Sequence, residues 1–369
     1  MSQNQHVFSL ILLSLMLVIP DPSPAHNGAI VLAHPIDDIT IDGDLSDWPR
    51  SVDSHPLEHV LTINRDESPD LIGGSFRIGY SPIDHALFIA VESPTNWNAE
   101  DGACVVFLEA LHRDRKAYAL SYTLGKDEIE KRGYRSTHLP ALGVEAKMLH
   151  IGNRSYYEWS IAVENIAQKN VLLEPGTTLA FDLILKGAPV GSNKAVRLSW
   201  GPGMRKNKLA DRRGDLLIIG RNQETGTLAG RISLPEALEP TWHNAHRLTI
   251  QSTDTHLIRL DGRWNDEGLF ANELPAGRYE ISASMNPDGS DDEFLSQGTL
   301  RIEPNRTTVA SLPMHKAVSD AEDKKAGLVK AGSGTREGRW HSFKVPDGLP
   351  TDEILALALS PNGDLWLGT

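Results

Sequence analysis

The amino-acid sequence predicts a mainly β protein that contains β-sandwiches. Apolar residues fall in short runs of strand length, for example residues 86–91 and 105–108, and these runs are bounded by Gly, Pro, Asn and Asp. The 31 glycines and 22 prolines of the 369-residue chain indicate many turns. No long segment shows the helical period of 3.6 residues. Strand-length runs joined by turns are typical of antiparallel sandwiches, and a chain of this length is expected to form two or three domains.

The N-terminus predicts an exported protein. Residues 7–19 are apolar apart from two serines, which is too short to span a bilayer comfortably, and the small residues Ser23 and Ala25 follow. This arrangement is typical of a signal peptide, which we place at residues 1–25. Residues 1–6 contain no Lys or Arg, so an uncleaved membrane anchor is the alternative, and a cytosolic chain with an apolar start is the third choice. The mature chain is expected not to insert into a membrane.

Charge and cysteine content exclude two classes of protein. The formal net charge of −13 argues against nucleic acid as a partner, because phosphate binding requires a cationic surface. The single cysteine, Cys104, excludes an internal disulfide framework. Since Cys104 lies in an apolar run, it is predicted to be buried as a small hydrophobic residue.

The first structural motif is a turn near the start of the mature chain. The segment ITIDGDLSDWP, residues 39–49, combines an Asp-Gly turn with a tryptophan that can fold back as an apolar plug. It resembles the opening of carbohydrate-binding module family 9, and later segments such as YYEWSIAV (156–163) match that family in order. The resemblance covers about residues 30 to 220, and residues 30–222 are predicted to be one sandwich domain.

This resemblance implies a β-sandwich that binds sugars by stacking aromatic rings on their apolar faces. The best candidate is Trp97, which is expected in a loop between the amides of Asn96 and Asn98, and Trp200 is the second. The alternative is that Trp97 merely covers the end of the sandwich. The other two tryptophans of this region, Trp48 and Trp159, are predicted to be core residues.

No cofactor is predicted, although structural calcium occurs in several members of the family that the sequence resembles. Five aspartates cluster near the first turn, and such a cluster of oxygen ligands is typical of Ca²⁺ sites. Their spacing does not fit the EF-hand loop, and turn formation explains them more simply. They are Asp37, Asp38, Asp42, Asp44 and Asp47.

A second, smaller sandwich is predicted over residues 226–315. The segments LAGRI (228–232), GRWNDEGLF (262–270) and LPAGRYEI (274–281) resemble the carboxypeptidase regulatory-like fold. The Glu267-Gly268 turn is expected to close a hairpin, and residues 275–277 to turn the chain into a strand that contains Tyr279. In exported proteins such units resemble spacers or adhesion modules.

The C-terminal part is predicted to be a linker followed by a single repeat. Residues 316–338 are charged and rich in Ala, Gly and Ser without periodicity, as in a linker. Residues 339–369 contain WHSF, DGLP and PNGDLWLGT and are similar to the two-component-regulator propeller repeat. A propeller needs several blades, so we expect the chain to be the N-terminal part of a longer protein, with this repeat frayed or packed on a neighbour.

The sequence predicts a binding protein and no catalytic site. The usual nucleophile, nucleotide and zinc motifs are missing. His55 and His59 are not interpreted as a metal site, because Pro56 between them disfavours a helix. The glutamates 109, 158 and 164 could pair as in a glycosidase, but the sequence does not give the distances between their carboxylates. The basic residues 205–208 and 212–213 are interpreted as a solvated loop, with an anionic glycan site as the alternative. The preferred function is recognition of an oligo- or polysaccharide, coupled to a sensory or scaffolding propeller. The alternatives are an adhesion protein without sugar binding and the N-terminal part of a polysaccharide-degrading enzyme. The oligomeric state is not predicted.

Overall fold

The computed structural model describes most of the chain between residues 27 and 317, together with two short strands near the C-terminus. The described residues are 27–61, 74–95, 97–110, 119–125, 128–133, 138–162, 172–190, 195–209, 212–233, 246–255, 258–265, 267–285, 293–317, 356–359 and 365–368. The predicted signal peptide and nearly all of the predicted linker lie outside them. The chain divides into two compact units, Met1–His315 and Lys316–Thr369.

The first sandwich contains fourteen strands within the described residues. Their bounds are β1 Ile30–Pro35, β2 His55–Pro56, β3 His59–Val60, β4 Ser75–Ser81, β5 Ala86–Glu92, β6 Trp97–Glu109, β7 Leu120–Leu124, β8 Ile129–Arg132, β9 His138–Leu139, β10 Val144–Ile151, β11 Arg154–Ala162, β12 Thr178–Pro189, β13 Val196–Ser199 and β14 Gly214–Ile218. A short 3-10 turn, Leu45–Asp47, lies between β1 and β2. The prediction of a mainly β fold is confirmed.

These strands form two sheets that share β1. Sheet A has the order β1-β14-β12-β6-β7-β8-β9, with β13 beside β12 and β3 beside β13. Sheet B has the order β10-β11-β5-β4-β1, with β2 beside β4. Residues 30–33 of β1 pair with β14, whereas His34 and Pro35 pair with β4. Both of these pairings are parallel, so β1, the strand that crosses between the two sheets, departs from the antiparallel pattern that is typical of such sandwiches.

The inward faces of sheets A and B form the core of the first sandwich. Along β12 the inward residues Phe181, Leu183 and Leu185 are fully buried, which fits the two-residue period of a strand. Cys104 is also fully buried, and burial raises the pKa of its thiol to about 12. The prediction for this cysteine is confirmed. Among the described residues no helix is long and apolar enough to cross a membrane.

The second sandwich packs three strands on five. Its strands are β15 Thr225–Ser233, β16 His246–Ser252, β17 Arg259–Gly262, β18 Leu269–Pro275, β19 Gly277–Met285, β20 Phe294–Ile302, β21 Thr307–Pro313 and β22 His315–Lys316. One sheet has the order β18-β15-β21 and the other β17-β16-β19-β20-β22. Tyr279 donates a 2.9 Å hydrogen bond to the carbonyl of Pro275 and so fixes the corner between β18 and β19.

The turn at Glu267-Gly268 differs from its prediction. Gly268 has a φ of +77°, which favours glycine, and its N–H donates to the carbonyl of Asn265. However, β17 and β18 belong to different sheets, so this turn carries the chain across the sandwich and does not close a hairpin. A turn motif defines local backbone geometry but does not define which strands pair.

The two sandwiches share a hydrophobic core. One buried cluster contains residues of both sandwiches. The first sandwich contributes Leu32 of β1, Leu217 of β14 and Ile219, which follows β14. They pack with Trp264 and the inward residues of the second sandwich. A buried hydrogen bond of 2.8 Å joins the N–H of Asp261 to a carboxylate oxygen of Asp215. The sandwiches therefore meet through a packed, buried junction.

The C-terminal unit contains one described hairpin. Strand β23, Ala356–Leu359, pairs antiparallel with β24, Leu365–Gly368, with Leu357 opposite Leu367. The predicted Asn362-Gly363 turn lies outside the described residues. The resemblance of this region to a propeller repeat stays a prediction.

Candidate ligand-binding face

The structure places Trp97 in the core of the first sandwich. It is the first residue of β6 and does not lie in a loop, it is opposite Pro189 of β12, and only 1% of its surface is exposed. Its indole ring lies against Gly187, where a Cβ atom would collide with the ring. This burial does not fit the predicted sugar-stacking role and agrees with the alternative of a structural tryptophan.

The other predicted site residues do not form an exposed aromatic platform. Trp200 is 9% exposed, and its ring lies 5.6 Å from the ring of Phe76 and 5.5 Å from that of Phe181. Asn96 and the side chain of Asn98 lie outside the described residues. Neither tryptophan presents a ring face on which a sugar could stack, so the site predicted at these four residues stays a prediction that the burial of both rings disfavours.

The turn near the start of the chain is fixed by Glu158. One carboxylate oxygen accepts hydrogen bonds from the N–H groups of Asp42 and Gly43, and the other accepts a 2.7 Å bond from the indole N–H of Trp48. Glu158 is fully buried on the outer face of sheet B. Burial raises its pKa, whereas the three donors act in the opposite direction. Glu158 is therefore a structural residue that holds the turn on the sheet.

The nearby aspartates serve local backbone geometry. Asp42 accepts a hydrogen bond from the N–H of Asp44, which accepts one from the N–H of Ser46, and Asp47 accepts one from Thr40. Such bonds within a turn are what short acidic side chains commonly provide. The prediction that the clustered aspartates shape a turn is confirmed for Asp42, Asp44 and Asp47, whereas Asp37 pairs with Arg221. Within the described residues no group of three or more His, Cys, Asp or Glu could hold a metal ion.

A buried ionic network covers one end of the outer face of sheet A. Nζ of Lys206 lies 2.6 Å from a carboxylate oxygen of Asp182, and both side chains are completely buried. The same ammonium donates to the carbonyls of Gly201, Pro202 and Arg212, at 2.8, 3.3 and 3.0 Å. Burial raises the pKa of Asp182, and the charge of Lys206 opposes this rise. The network fastens residues 200–206 and 212 to the sheet.

A second buried ion pair lies beside this network. Arg213 is fully buried, lies 3.3 Å from a carboxylate oxygen of Glu109, and donates to the carbonyls of Lys206 and Leu209. The interpretation of this basic segment as a solvated loop is wrong for Lys206 and Arg213, because the segment covers carboxylates that point outward from sheet A. The alternative interpretation of this segment is an anionic glycan site. Lys206 and Arg213 cannot contribute to it, because both are buried in ion pairs.

The uncovered end of the same face carries ionised side chains around a cavity. Strands β6 and β12 turn Ala103 and Lys186 outward, since the adjacent Cys104 and Leu185 are core residues. On β7 and β8 the outward residues include Thr123 and its partner Glu130. The adjoining cavity has a volume of about 420 Å³. Its lining includes Thr123, Gly125, Glu128, Glu130, Lys131 and His138.

Glu130 organises this cavity. Its carboxylate lies 2.7 Å from the guanidinium of Arg132 and 3.1 Å from Nδ1 of His138. The hydrogen bond from Arg132 is the largest cause of a lowered pKa of Glu130, so the carboxylate is ionised at neutral pH. Lys131 points to the other side of the strand and lies 5.5 Å from the ring centre of Tyr122. The cavity therefore presents a fixed carboxylate with donors on either side.

Sequence reasoning missed this face. Lys186 and Arg197 lie in strands whose alternate residues are core leucines and valines, namely 183, 185, 196 and 198. That alternation indicates that both cations point away from the core, but not that they meet. Their proximity follows from strand pairing between β12 and β13, which a single sequence does not show.

No family model matches this chain, and a comparison with curated proteins found no match. Among solved structures, a carbohydrate-binding module of family 9 from Caldicellulosiruptor kristjanssonii, in complex with glucose, is 15% identical over 53% of this chain and 97% of its own, with a TM-score of 0.40. The cellotriose complex of a module of that family from the same organism gives the same identity and TM-score. A candidate carbohydrate-binding protein from Bacteroides uniformis is 16% identical over 52% of this chain and 99% of its own, with a TM-score of 0.39.

Proposed function

We propose that this protein is an exported, non-catalytic carbohydrate-binding protein whose first sandwich holds a saccharide on the outer face of sheet A. The observation that carries the proposal is the cavity of about 420 Å³ around Glu130 and His138. Its volume lies within the usual range for small-ligand sites, roughly 300–1,000 Å³. Binding of a sugar requires convergent donors and acceptors for its hydroxyl groups, and this cavity provides both.

The chemistry of the lining suits hydroxyl groups. The carboxylates of Glu128 and Glu130 accept hydrogen bonds, His138 and Thr123 can donate them, and Gly125 leaves space at the floor. His138 is exposed, so its ring is accessible to a ligand. Hydrogen bonds to charged groups are stronger than those between neutral groups, which favours such a lining for polyhydroxylated ligands.

Two of the three glutamates considered as glycosidase carboxylates, Glu109 and Glu158, have structural roles, and Glu164 lies outside the described residues. Glu158 holds the turn at Asp42 and Trp48, and Glu109 pairs with Arg213. Both are buried. A glycosidase requires two carboxylates that flank a substrate bond, and these two are occupied in different sheets. These roles support a protein that binds without reacting, and the proposal requires no cofactor.

Isothermal titration of the exported chain against xylo-, cello- and manno-oligosaccharides tests this function. We expect saturable binding to at least one series, and an affinity loss of roughly tenfold or more in Glu130→Gln, because a charged acceptor is removed. Glu145→Gln is the matched control, since Glu145 is exposed on β10 of the other sheet. Unchanged affinity in Glu130→Gln would move the site elsewhere, and no binding by a folded protein would reject the function.

A scaffolding or adhesion role is the second candidate, and the junction between the sandwiches favours it. A spacer that transmits force or sets a distance requires adjacent modules that do not swing, and Leu217 and Ile219 fill a core that both sandwiches share. Coupling to a propeller, export, and membership of the second sandwich in the carboxypeptidase regulatory-like fold are parts of the proposal that rest on sequence resemblance.

A further inference from the structure

Two cations face each other on the outer face of sheet A. Lys186 of β12 and Arg197 of β13 are direct partners in the antiparallel register, and both point away from the core. Like charges directly opposite one another destabilise a strand pair. The facing cations therefore lower the stability of the unliganded protein.

Neither cation is neutralised within the part of the chain that the structure describes. Both side chains are half-buried, and neither makes a hydrogen bond or ion pair there. Burial lowers the pKa of Lys186, the charges of Arg197 and Arg132 lower it further, and Glu130 acts in the opposite direction. Glu130 already pairs with Arg132, so among the described residues the positive charge of Lys186 and Arg197 has no counter-charge of its own.

A β-bulge fixes the position of Lys186. The register between β12 and β6 shifts between Lys186 and Ala188, and the intervening Gly187 packs on the buried ring of Trp97. Bulges redirect side chains, and they are frequent beside functional sites. Trp97 therefore supports the cation pair from behind and does not contact the ligand.

The cation pair adjoins the proposed saccharide cavity. Lys186 pairs with Ala103 on β6, and the next residue, Cys104, pairs with Leu124, which precedes Gly125 in the cavity lining. Small residues thus separate the cations from the cavity. A ligand in the cavity can extend a substituent over Ala103 to reach both positive charges.

We infer that the saccharide bound by this face is acidic, and that Lys186 and Arg197 hold the carboxylate of a hexuronic acid residue while its hydroxyl groups occupy the cavity beside Glu130. This inference rests on the proposed function. A guanidinium binds a carboxylate through two parallel hydrogen bonds, and the ammonium adds a point charge beside it. The chain has a net charge of −13, but distant charges are screened beyond a Debye length of about 8 Å, so the local cations dominate at the site.

Titration with trigalacturonate and with its methyl ester tests the inference, because the ester keeps the sugar hydroxyls and removes the charge. We expect trigalacturonate to bind at least about tenfold more tightly than the ester, with a preference that weakens as salt rises. Lys186→Met and Arg197→Gln should remove this preference. Lys147→Met, an exposed cation on β10, is the charge-matched control and should leave it intact. Circular dichroism checks that each variant is folded.

The outcomes separate this inference from the proposed function. Equal affinity for acid and ester, or a preference that survives in both variants, overturns the inference and leaves carbohydrate binding standing. Preference for a sulfated disaccharide over every uronate overturns the assignment of a carboxylate. Failure of the folded protein to bind any neutral, carboxylated or sulfated sugar rejects both proposals.

Discussion

Lys206 and Asp182 form an ion pair of 2.6 Å in which both side chains are completely shielded from water. The ammonium also donates to the carbonyls of Gly201, Pro202 and Arg212, so a single side chain gathers four oxygens from one loop and one strand. Charges are costly to bury, and they remain buried only when their partners are nearly complete. The loop over sheet A is therefore held by Lys206 together with the neighbouring buried Arg213.

Replacing Lys206 by Met should strongly destabilise the protein. The change leaves the buried carboxylate of Asp182 without its cation, a loss expected to cost about 3–5 kcal/mol. Lys208→Met, an exposed residue of the same loop, is the control and should change stability by less than about 0.5 kcal/mol. Urea unfolding measures both, and equal midpoints for the two variants would contradict the role of Lys206.

The cost of Lys206→Met should depend on pH. Burial already raises the pKa of Asp182 to about 6, and removal of the opposing charge of Lys206 raises it further. A carboxyl whose pKa is higher in the folded state binds protons on folding, so the stability that it gives is present at low pH and lost as pH rises through the folded pKa. The loss of unfolding free energy in the variant, relative to the parent protein, should therefore be smaller at pH 5 than at pH 8. Unfolding curves at both values test this, and a deficit that grows on acidification would contradict it.

Replacing Glu158 by Ala should release the turn that contains Trp48. Three donors, on Asp42, Gly43 and Trp48, lose their acceptor, and each of the two buried ones, on Gly43 and Trp48, costs about 1–3 kcal/mol before water enters. We expect lower stability and a red-shifted tryptophan emission as Trp48 becomes hydrated. Glu145→Ala on the neighbouring strand β10 should show neither effect, and an unchanged spectrum for the Glu158 variant would show that the turn holds without its anchor.

Replacing Trp97 by Ala distinguishes a core residue from a sugar platform. Deletion of a buried tryptophan is expected to cost about 3–5 kcal/mol, whereas loss of an exposed platform would leave stability nearly unchanged and abolish binding. Thermal unfolding, together with titration at a temperature where the variant is folded, measures both quantities. Normal stability with lost sugar binding would restore the stacking role of Trp97.

Replacing Ile219 by Ala should destabilise both sandwiches together. Ile219 is fully buried in the shared core, and such truncations cost about 2–5 kcal/mol. We expect one calorimetric transition for residues 27–315 in the parent chain and a single, lower transition in the variant. Val309→Ala, at a residue that is 79% exposed, serves as the control. Two transitions, of which only one moves, would show that the sandwiches unfold independently.

The strands were predictable from sequence, whereas the candidate site was not. The alternation of apolar and polar residues around Leu183 and Leu185 predicts the inward face of β12 directly. The Asp42-Gly43 motif likewise predicts the turn near the start of the chain. The same two-residue period predicts that outward residues such as Asp182 are exposed to solvent, because nothing in the pattern shows that a distant loop covers them. Trp97 looks like a loop residue between two asparagines, and its burial depends on the absence of a side chain at Gly187, ninety positions later. Contacts of this kind depend on the pairing of distant strands, and local patterns do not encode it.

The position of β1 has a consequence for biogenesis. Its residues Ile30 to Ala33 pair with β14, the last strand of the first sandwich, so the first of the described strands to be synthesised must wait for a strand that is made much later. Until β14 emerges, an apolar edge that includes Val31 and Leu32 stays unpaired, and edges of this kind promote aggregation. Pairings between such distant segments also slow folding. We therefore expect a nascent chain of this protein to be most prone to aggregate before its synthesis has passed residue 218.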